Sequence, residues 1–112
     1  MKRGEIWWVN LGEPSGSEPG FRRPAVIVSA NSFNLSAIRT VVVMFLTTNP
    51  ARAADPGNVW LPAKQTGLLS GCTANVTQLG TIDKRILCDR AGRLPAALMA
   101  RIDDGLRLVM DL

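Results

Sequence analysis

The chain has 112 residues, of which 46% are hydrophobic and 20% are charged, a composition that indicates one small globular domain and excludes a disordered segment. Thirteen Lys and Arg residues against nine Asp and Glu residues give a net charge of +4, which suits a polyanionic partner such as nucleic acid without requiring one. His and Tyr are absent, so a His-containing triad, a His-ligated metal and a Tyr nucleophile are excluded, and any catalysis must use carboxylates, Arg, Lys, Cys or hydroxyl groups.

The first half of the chain alternates strand-like apolar runs with turn-rich loops. Strands are predicted over Glu5–Leu11, Ala25–Ser29 and Thr40–Leu46, and the last of these is a continuous apolar run that should be buried on both faces. Gly12–Arg22 is rich in Gly, Pro and Ser, which predicts a long surface loop. Asn31–Ile38 is polar and is predicted as a turn with about one helical turn.

The second half predicts further short strands and then a helix. A loop is predicted over Ala51–Gly57, followed by a short strand over Asn58–Pro62 and a helical turn over Lys64–Leu69. A longer strand is predicted over Ser70–Leu79, and an alternating stretch with a turn at Ala91 and Gly92 over Thr81–Arg93. From Pro95 onward, Leu98, Ile102, Leu106 and Val109 recur at helical spacing, which predicts an amphipathic C-terminal helix of about sixteen residues packed on a small β-barrel.

Tryptophan and cysteine each admit a structural and a functional interpretation. Trp7, Trp8 and Trp60 are candidates for base stacking, but at least two of them are predicted to lie in the core. Cys72 and Cys88 lack the close pairs of a zinc or redox site and are predicted to be free, buried thiols. Neither a signal peptide nor a membrane-spanning run is evident, so a cytoplasmic protein is expected.

Two places in the sequence put chemically capable side chains beside a rigid strand. Glu18, Arg22 and Arg23 place a carboxylate and two guanidinium groups in and after the first loop, and a guanidinium matches a phosphate group. The alternative is a solvated loop in which Arg and Glu pair with each other. Thr47 and Thr48 end the most buried strand, where a hydroxyl is either held for chemistry or caps the strand end.

Two polar residues occupy a later predicted strand. Asn75 and Gln78 can bind base edges or ribose of a nucleic acid, or can satisfy neighbouring backbone groups.

Several blocks of the sequence, taken together, resemble the MazF/PemK family of toxin endoribonucleases. The blocks are RGEIWWVNL at 3–11, GSE at 16–18, RPAVIV at 23–28, the apolar run at 41–47, LGTIDK at 79–84 and the C-terminal helix. They extend over nearly the whole chain, and the distance between the first and third blocks makes the resemblance specific. Two departures are Pro19, where many relatives have Gln, and the lack of a His near the first loop.

This resemblance implies a fold and an activity. The fold is mainly β, a small SH3-like barrel with a C-terminal helix that forms one toxin domain over residues 1–112, usually as a homodimer. The activity is that of an mRNA interferase, the toxin of a type II toxin–antitoxin pair. It cleaves single-stranded RNA, mainly mRNA, at short motifs without a metal or other cofactor. The ribose 2′-hydroxyl attacks phosphorus, which leaves 2′,3′-cyclic phosphate and 5′-hydroxyl ends. An acidic, MazE-like antitoxin segment would cover the RNA groove.

The resemblance also implies roles for individual residues. Arg23 matches the catalytic Arg of the family and Thr47 its catalytic Thr, with Thr48 as the alternative in register. Glu18 is a third catalytic candidate, either as a base or as a group that orients Arg23. The implied RNA-binding residues are Ser17, Arg22, Thr48, Asn75 and Gln78.

Two rival functions use a similar barrel. One is a CcdB-like toxin that binds DNA gyrase without cleaving RNA, and such toxins act through a C-terminal helix that typically carries aromatic residues. The last residues here, Leu108–Leu112, contain none. The other rival is a non-catalytic RNA-binding module, whose affinity for RNA should fall steeply with salt.

Overall fold

The computed structural model describes residues 1–12 and 22–112, which form one antiparallel sheet with short helices and a long C-terminal helix. The strands are β1 (Glu5–Asn10), β2 (Arg22–Ile27), β3 (Thr40–Thr47), β4 (Val59–Leu61), β5 (Cys72–Asp83) and β6 (Leu87–Arg93). The helices are α1 (Asn31–Asn34), α2 (Ala63–Thr66) and α3 (Ala96–Met110), and 3-10 turns span Pro50–Arg52 and Lys84–Ile86.

The six strands of the described part lie in the order β4-β5-β3-β2-β1-β6, and the sheet curls into a half-barrel. The predicted fold class, mainly β with a C-terminal helix, is therefore confirmed. None of the helices in the described part is long and apolar enough to cross a membrane.

Both faces of the sheet are covered, because successive side chains of a strand point to opposite faces. One apolar cluster lies against α3 and includes Ile6, Val26, Met44, Leu46 and Ile102. A second cluster on the other face contains Val9, Ala25, Ile27, Val41 and Val43, with Ile86 and Leu87 packed against it. The strands β2 and β3 supply both clusters, so the prediction that the central apolar run is buried on both faces is confirmed.

The helix α3 is attached to the rest of the fold at two points. Arg3 on the N-terminal segment donates from Nε to the Val28 carbonyl oxygen at 2.9 Å and forms an ion pair with Asp103 of α3. Farther along the helix, Gly105 lies so close to Gly57 that a Cβ atom at position 105 would stand 2.3 Å from the Gly57 carbonyl oxygen. The absence of a side chain at position 105 thus brings α3 into contact with the connection between β3 and β4.

Three predictions about local structure are wrong. The strand β2 begins at Arg22 rather than at Ala25, so Arg22 and Arg23 belong to the sheet. The predicted turn at Ala91 and Gly92 is absent, because β6 runs through these residues and the chain turns at Lys84–Ile86 instead. On α3, Val109 is exposed, and the buried positions are Met99, Ile102 and Gly105.

The predictions for tryptophan and cysteine are also wrong in part. Trp7 and Trp8 are half-buried and Trp60 is exposed, so the described structure does not bury two of the three indoles. Both cysteines are free, as predicted, but Cys88 is exposed.

Glu5 is a buried carboxylate at the junction of β1 and β6. Its Oε1 accepts hydrogen bonds from the Lys2 backbone N–H at 2.7 Å and the Trp7 indole N–H at 3.1 Å. Its Oε2 lies 3.4 Å from Nε of Arg90. Burial alone would raise the pKa of Glu5, but the hydrogen bonds and the Arg90 charge outweigh this effect and hold the pKa below its ordinary value of 4.5.

A depressed pKa in the folded state makes stability depend on pH. The ionised Glu5 contributes stability above the unfolded-state pKa, and this contribution is lost as the pH falls through the lower folded-state value. We expect Glu5→Gln to reduce the free energy of unfolding at pH 7, and the difference from the wild type to shrink as the pH falls from 4.5 through the lower folded-state pKa. Urea unfolding of both proteins at several pH values measures this difference in the free energy of unfolding. A difference that stays constant with pH would contradict this role of the charge.

Candidate active site

Arg23 is held at the start of β2 by two neighbouring side chains. Its Nη2 donates to Oε1 of Gln78 at 3.1 Å, and its guanidinium carbon lies 4.9 Å from the centre of the Phe45 ring. An amide acceptor at one edge and an aromatic face beneath it restrict where a guanidinium can point. Phe45 itself packs against the second apolar cluster, so the support for Arg23 is anchored in the core.

Thr47 lies on β3, the antiparallel neighbour of the strand that carries Arg23. The pairing of these strands ends at Ala25 and Phe45, and Arg23 and Thr47 each lie two residues beyond this pair, at the same end of the two strands. The Thr47 hydroxyl oxygen accepts a hydrogen bond from the Asn49 backbone N–H at 3.1 Å. The capping role proposed as the alternative for this Thr is therefore real. Because the hydroxyl oxygen is the acceptor there, its own O–H can still donate to another group.

A cavity of about 430 Å³ lies beside these two residues. Its polar lining comes from Arg23, Thr47, Thr48 and Ser70. Its apolar lining comes from Trp8, Pro24, Leu46, Leu68, Leu69 and Cys72. Apolar walls with a few converging polar groups are typical of ligand sites, and here the polar groups are a guanidinium and three hydroxyls. Such a set can bind an anion with hydrogen-bond donors while its apolar walls contact a flat organic group.

Arg22 flanks the cavity on the side of β1. It forms an ion pair with Asp89 at 2.7 Å, and its guanidinium carbon lies 5.6 Å from the centre of the Trp8 ring. Arg23 differs from Arg22 in the charge of its partner. Among the described residues, Arg23 donates to the neutral amide of Gln78 rather than to a carboxylate. The cavity therefore has a net positive lining within the described residues.

Asn75 lies away from this cavity, next to the connection between β3 and β4, and its side chain is buried whereas its partners are half-buried or exposed. The Asn58 side-chain N–H₂ donates to Asn75 Oδ1 at 3.4 Å and to the Arg52 carbonyl oxygen at 2.9 Å. The Thr77 hydroxyl donates to the same Asn75 oxygen at 3.1 Å. Asn75 thus accepts from two side chains rather than from the backbone groups named as the alternative, and its role in RNA binding stays a prediction.

The structure thus brings together Arg23, Thr47 and Thr48 at one cavity, with Gln78 bound to Arg23 and Arg22 close by. The remaining predicted site residues, Ser17 and Glu18, lie outside the described residues. Sequence reasoning missed Phe45, and it named Trp8 as a candidate for base stacking without placing it on the wall of this cavity. The position of Phe45, two residues before Thr47 on the same strand, was a usable signal because such residues share a face.

Cys72 contributes a thiol to the cavity wall, and burial raises its pKa. It therefore remains a neutral thiol at neutral pH, a small apolar contact rather than a nucleophile. Within residues 1–12 and 22–112, no group of three His, Cys, Asp or Glu side chains is placed to hold a metal ion.

The chain represents a class of proteins that combine a curled antiparallel sheet, a C-terminal helix and a cationic, hydroxyl-lined cavity at the strand ends. A family model described as the PemK-like, MazF-like toxin of type II toxin–antitoxin systems matches residues 2–110. Endoribonuclease MazF2 of Mycobacterium bovis is 46% identical over 112 residues, covering 100% of this chain and 98% of the relative. Endoribonuclease EndoA of Bacillus subtilis is 29% identical, covering 100% of this chain and 96% of EndoA.

Solved structures agree with this result. A mycobacterial endoribonuclease in complex with its cognate antitoxin superimposes with a TM-score of 0.81 at 28% identity, covering 100% of this chain and 96% of that chain. The Mycobacterium tuberculosis toxin MazF-mt6 shares the fold with a TM-score of 0.79 at 19% identity, covering 96% of this chain and 97% of that chain.

The chain therefore belongs to the PemK-like, MazF-like family of toxins of type II toxin–antitoxin systems. The family suggested by the sequence blocks is confirmed, and the prediction of an endoribonuclease is confirmed at the level of the family, because its full-length relatives carry that name.

Proposed function

We propose that this protein is a sequence-selective endoribonuclease that cleaves single-stranded RNA, mainly mRNA, without a metal, and thereby inhibits translation and growth as the toxin of a toxin–antitoxin pair. The observation that carries the proposal is the placement of the Arg23 guanidinium and the Thr47 hydroxyl at one cavity. Its relatives of similar length named endoribonuclease support the reaction class.

The proposed reaction uses the substrate as its own nucleophile, which suits a chain without His. The ribose 2′-oxygen attacks the adjacent phosphorus and loses its proton, while the bond from phosphorus to the 5′-oxygen breaks and that oxygen gains a proton. The products are a 2′,3′-cyclic phosphate and a 5′-hydroxyl, and no water is consumed. The protein has to align the 2′-oxygen, stabilise the charge on the non-bridging oxygens and assist two proton movements.

Each proposed catalytic group has a defined task. The Arg23 guanidinium binds the non-bridging oxygens through charge-assisted hydrogen bonds, which gain strength as charge develops in the transition state. Its high intrinsic pKa makes this electrostatic role more effective than that of a base. The Thr47 O–H donates to the same phosphate. Glu18 is the third proposed participant, as the base or as an orienting group for Arg23.

RNA binding in this proposal extends outward from the catalytic pair. Arg22, Thr48 and Gln78 border the cavity or contact Arg23, and they would bind phosphate, ribose or base edges. Ser17 and Asn75 complete the proposed set. A single strand with splayed bases can be read along its edges, and this gives selectivity for a short motif.

The proposed biological unit is a cytoplasmic homodimer of a single toxin domain spanning residues 1–112, which an antitoxin inhibits. The structural neighbours include the mycobacterial endoribonuclease with its cognate antitoxin and a MazE–MazF structure from Deinococcus radiodurans. A positively lined cavity suits an acidic antitoxin segment that folds as it binds.

The test is incubation of the purified, antitoxin-free protein with a long mixed-sequence single-stranded RNA in EDTA, with the cut ends mapped and their chemistry determined. We expect discrete cuts at a short motif, with cyclic-phosphate and 5′-hydroxyl ends. Cleavage that requires an added metal would contradict the proposed chemistry. Tight but uncleaved RNA would indicate a binding module, and gyrase inhibition without RNA cleavage would indicate the CcdB-like alternative.

A further inference from the structure

Trp60 is an exposed indole on a strand whose other residues are buried. Its neighbours on β4, Val59 and Leu61, are 2% and 0% exposed, whereas Trp60 is 50% exposed. A single exposed apolar side chain is common and proves nothing by itself. The surroundings of this indole, however, indicate a position fixed by the backbone.

The ring of Trp60 lies directly against the backbone of Gly71. A Cβ atom built at Gly71 would stand 2.3 Å from Cζ2 and 2.4 Å from Cη2 of the indole, so any side chain at this position would displace the ring. Gly71 thus acts as a flat support for part of the indole, while about half of the side chain remains open to solvent. A supported, half-open aromatic ring loses little conformational freedom when a planar group stacks on it.

The supported ring stands close to the candidate active site. Gly71 lies between Ser70 and Cys72, which both line the cavity that contains Arg23 and Thr47. In the sheet, Thr47 pairs with Thr73, and Thr73 pairs with Trp60.

Two strand spacings therefore separate the backbone at Thr47 from that at Trp60, roughly 10 Å. A stacked strand advances about 3.4 Å per nucleotide, so a base on Trp60 would be three or fewer nucleotides from a phosphate at Thr47.

We propose that Trp60 is a stacking platform for one nucleobase of the RNA, flanking the phosphate held by Arg23 and Thr47. This inference rests on the proposed function, because it needs an RNA strand at the cavity. Single-stranded nucleic acids bind where a positive surface and an exposed aromatic ring occur together, and both are present here. Stacking tolerates any base, so Trp60 contributes affinity and positioning rather than the identity of the motif.

The experiment compares RNA binding by the wild type, Trp60→Ala and Trp60→Phe. The probe is a single-stranded RNA containing the cleaved motif, made uncleavable by a 2′-deoxy substitution at the cleaved nucleotide. We expect Trp60→Ala to raise Kd by about tenfold and Trp60→Phe to remain close to the wild type. Phe33→Ala is the matched control, because Phe33 is 56% exposed on α1, which follows the far end of β2 from Arg23.

The salt dependence of binding separates stacking from an electrostatic effect. Loss of a stacking contact weakens binding at every salt concentration and leaves the slope of log Kd against log salt unchanged, whereas loss of a phosphate contact reduces that slope by about one. We expect the first behaviour for Trp60→Ala. Thermal unfolding of each variant checks that it is folded. Gly71→Ala keeps the indole of Trp60 in the protein but displaces it from its support, so this variant should also bind RNA more weakly.

Several results would overturn the inference. One is an unchanged Kd for RNA in folded Trp60→Ala, and another is a changed salt slope in that variant. A third is lost binding of an acidic antitoxin peptide while the affinity for RNA is unaffected, and this result would assign the ring to a protein partner. If the wild type cleaves no RNA, the proposed function fails. The binding comparison, repeated with the long mixed-sequence single-stranded RNA, then still decides whether Trp60 stacks on a base.

Discussion

Arg23→Ala is expected to slow RNA cleavage by about 100- to 1,000-fold while the protein remains folded. The substitution removes the charged donors from the cavity, and the lost interaction is one that strengthens in the transition state. Its structural cost is small, since Gln78 is an exposed partner and Phe45 stays anchored in its cluster. Single-turnover cleavage of a defined RNA, with thermal unfolding of the same preparation, measures both effects.

Two further substitutions sharpen this test. Arg23→Lys keeps the charge but not the planar set of donors, so we expect it to recover only part of the lost rate. Arg107→Ala removes the same charge from α3, where Arg107 pairs with Asp104 at 3.1 Å, and should leave cleavage unchanged. Near-full activity in a folded Arg23→Ala protein would refute the proposed site.

Thr47 and Thr48 can be separated by the same assay. Thr47→Val keeps the shape of the side chain but removes the O–H donor, so a large loss of rate is expected from it. Thr48 also lines the cavity but is exposed, and Thr48→Val should have the smaller effect. The reverse order would show that the family's catalytic Thr corresponds to Thr48.

The second large effect concerns folding. Gly67→Ala is expected to destabilise the protein by about 3 kcal/mol or more, or to prevent folding. Gly67 follows α2 with φ at +78°, and an added Cβ would stand 2.0 Å from the Ala91 carbonyl oxygen and 2.8 Å from the carbonyl carbon. Both atoms belong to the backbone of β6, so no side-chain rotation can relieve the clash. Urea unfolding at neutral pH measures the change.

Gly4→Ala is the matched control for this prediction. Gly4 also has a positive φ, +91°, but an added Cβ would lie at an ordinary distance of 3.4 Å from the Met99 side chain. It should cost only the left-handed backbone strain, about 1–2 kcal/mol. Equal destabilisation by the two substitutions would show that the contact between α2 and β6 is not as close as described.

Local patterns predicted the elements whose burial is regular. The apolar run at Thr40–Leu46 became β3 because a continuous apolar run fits a strand buried on both faces. The helical spacing after Pro95 became α3 because its period matches the face of a helix. The predicted turn at Ala91 and Gly92 failed for a tertiary reason. Gly92 allows β6 to approach α2, since a Cβ there would stand 2.4 Å from the Thr66 carbonyl oxygen, and no local pattern contains that contact.

Only part of the candidate site could be predicted, because some of its contacts join residues that are far apart in the sequence. Arg23 and Thr47 stand at strand ends, where the sequence blocks of the family make them conspicuous. The contact between Arg23 and Gln78 joins residues 55 positions apart, and the support of Trp60 by Gly71 depends on how two strands meet. Asn75 was a candidate ligand contact because of its position in a strand, but in the fold its buried side chain accepts hydrogen bonds from Asn58 and Thr77.

Arg23 and Thr47 are carried by β2 and β3, and each of these strands supplies residues to both apolar clusters. A substitution that disturbs this core is therefore expected to move both side chains as well. Surface connections tolerate sequence change better than the strands they join. Under the proposed function, such a toxin can change which transcripts it cuts through its loops, while β2 and β3 keep the pair of residues that cuts them.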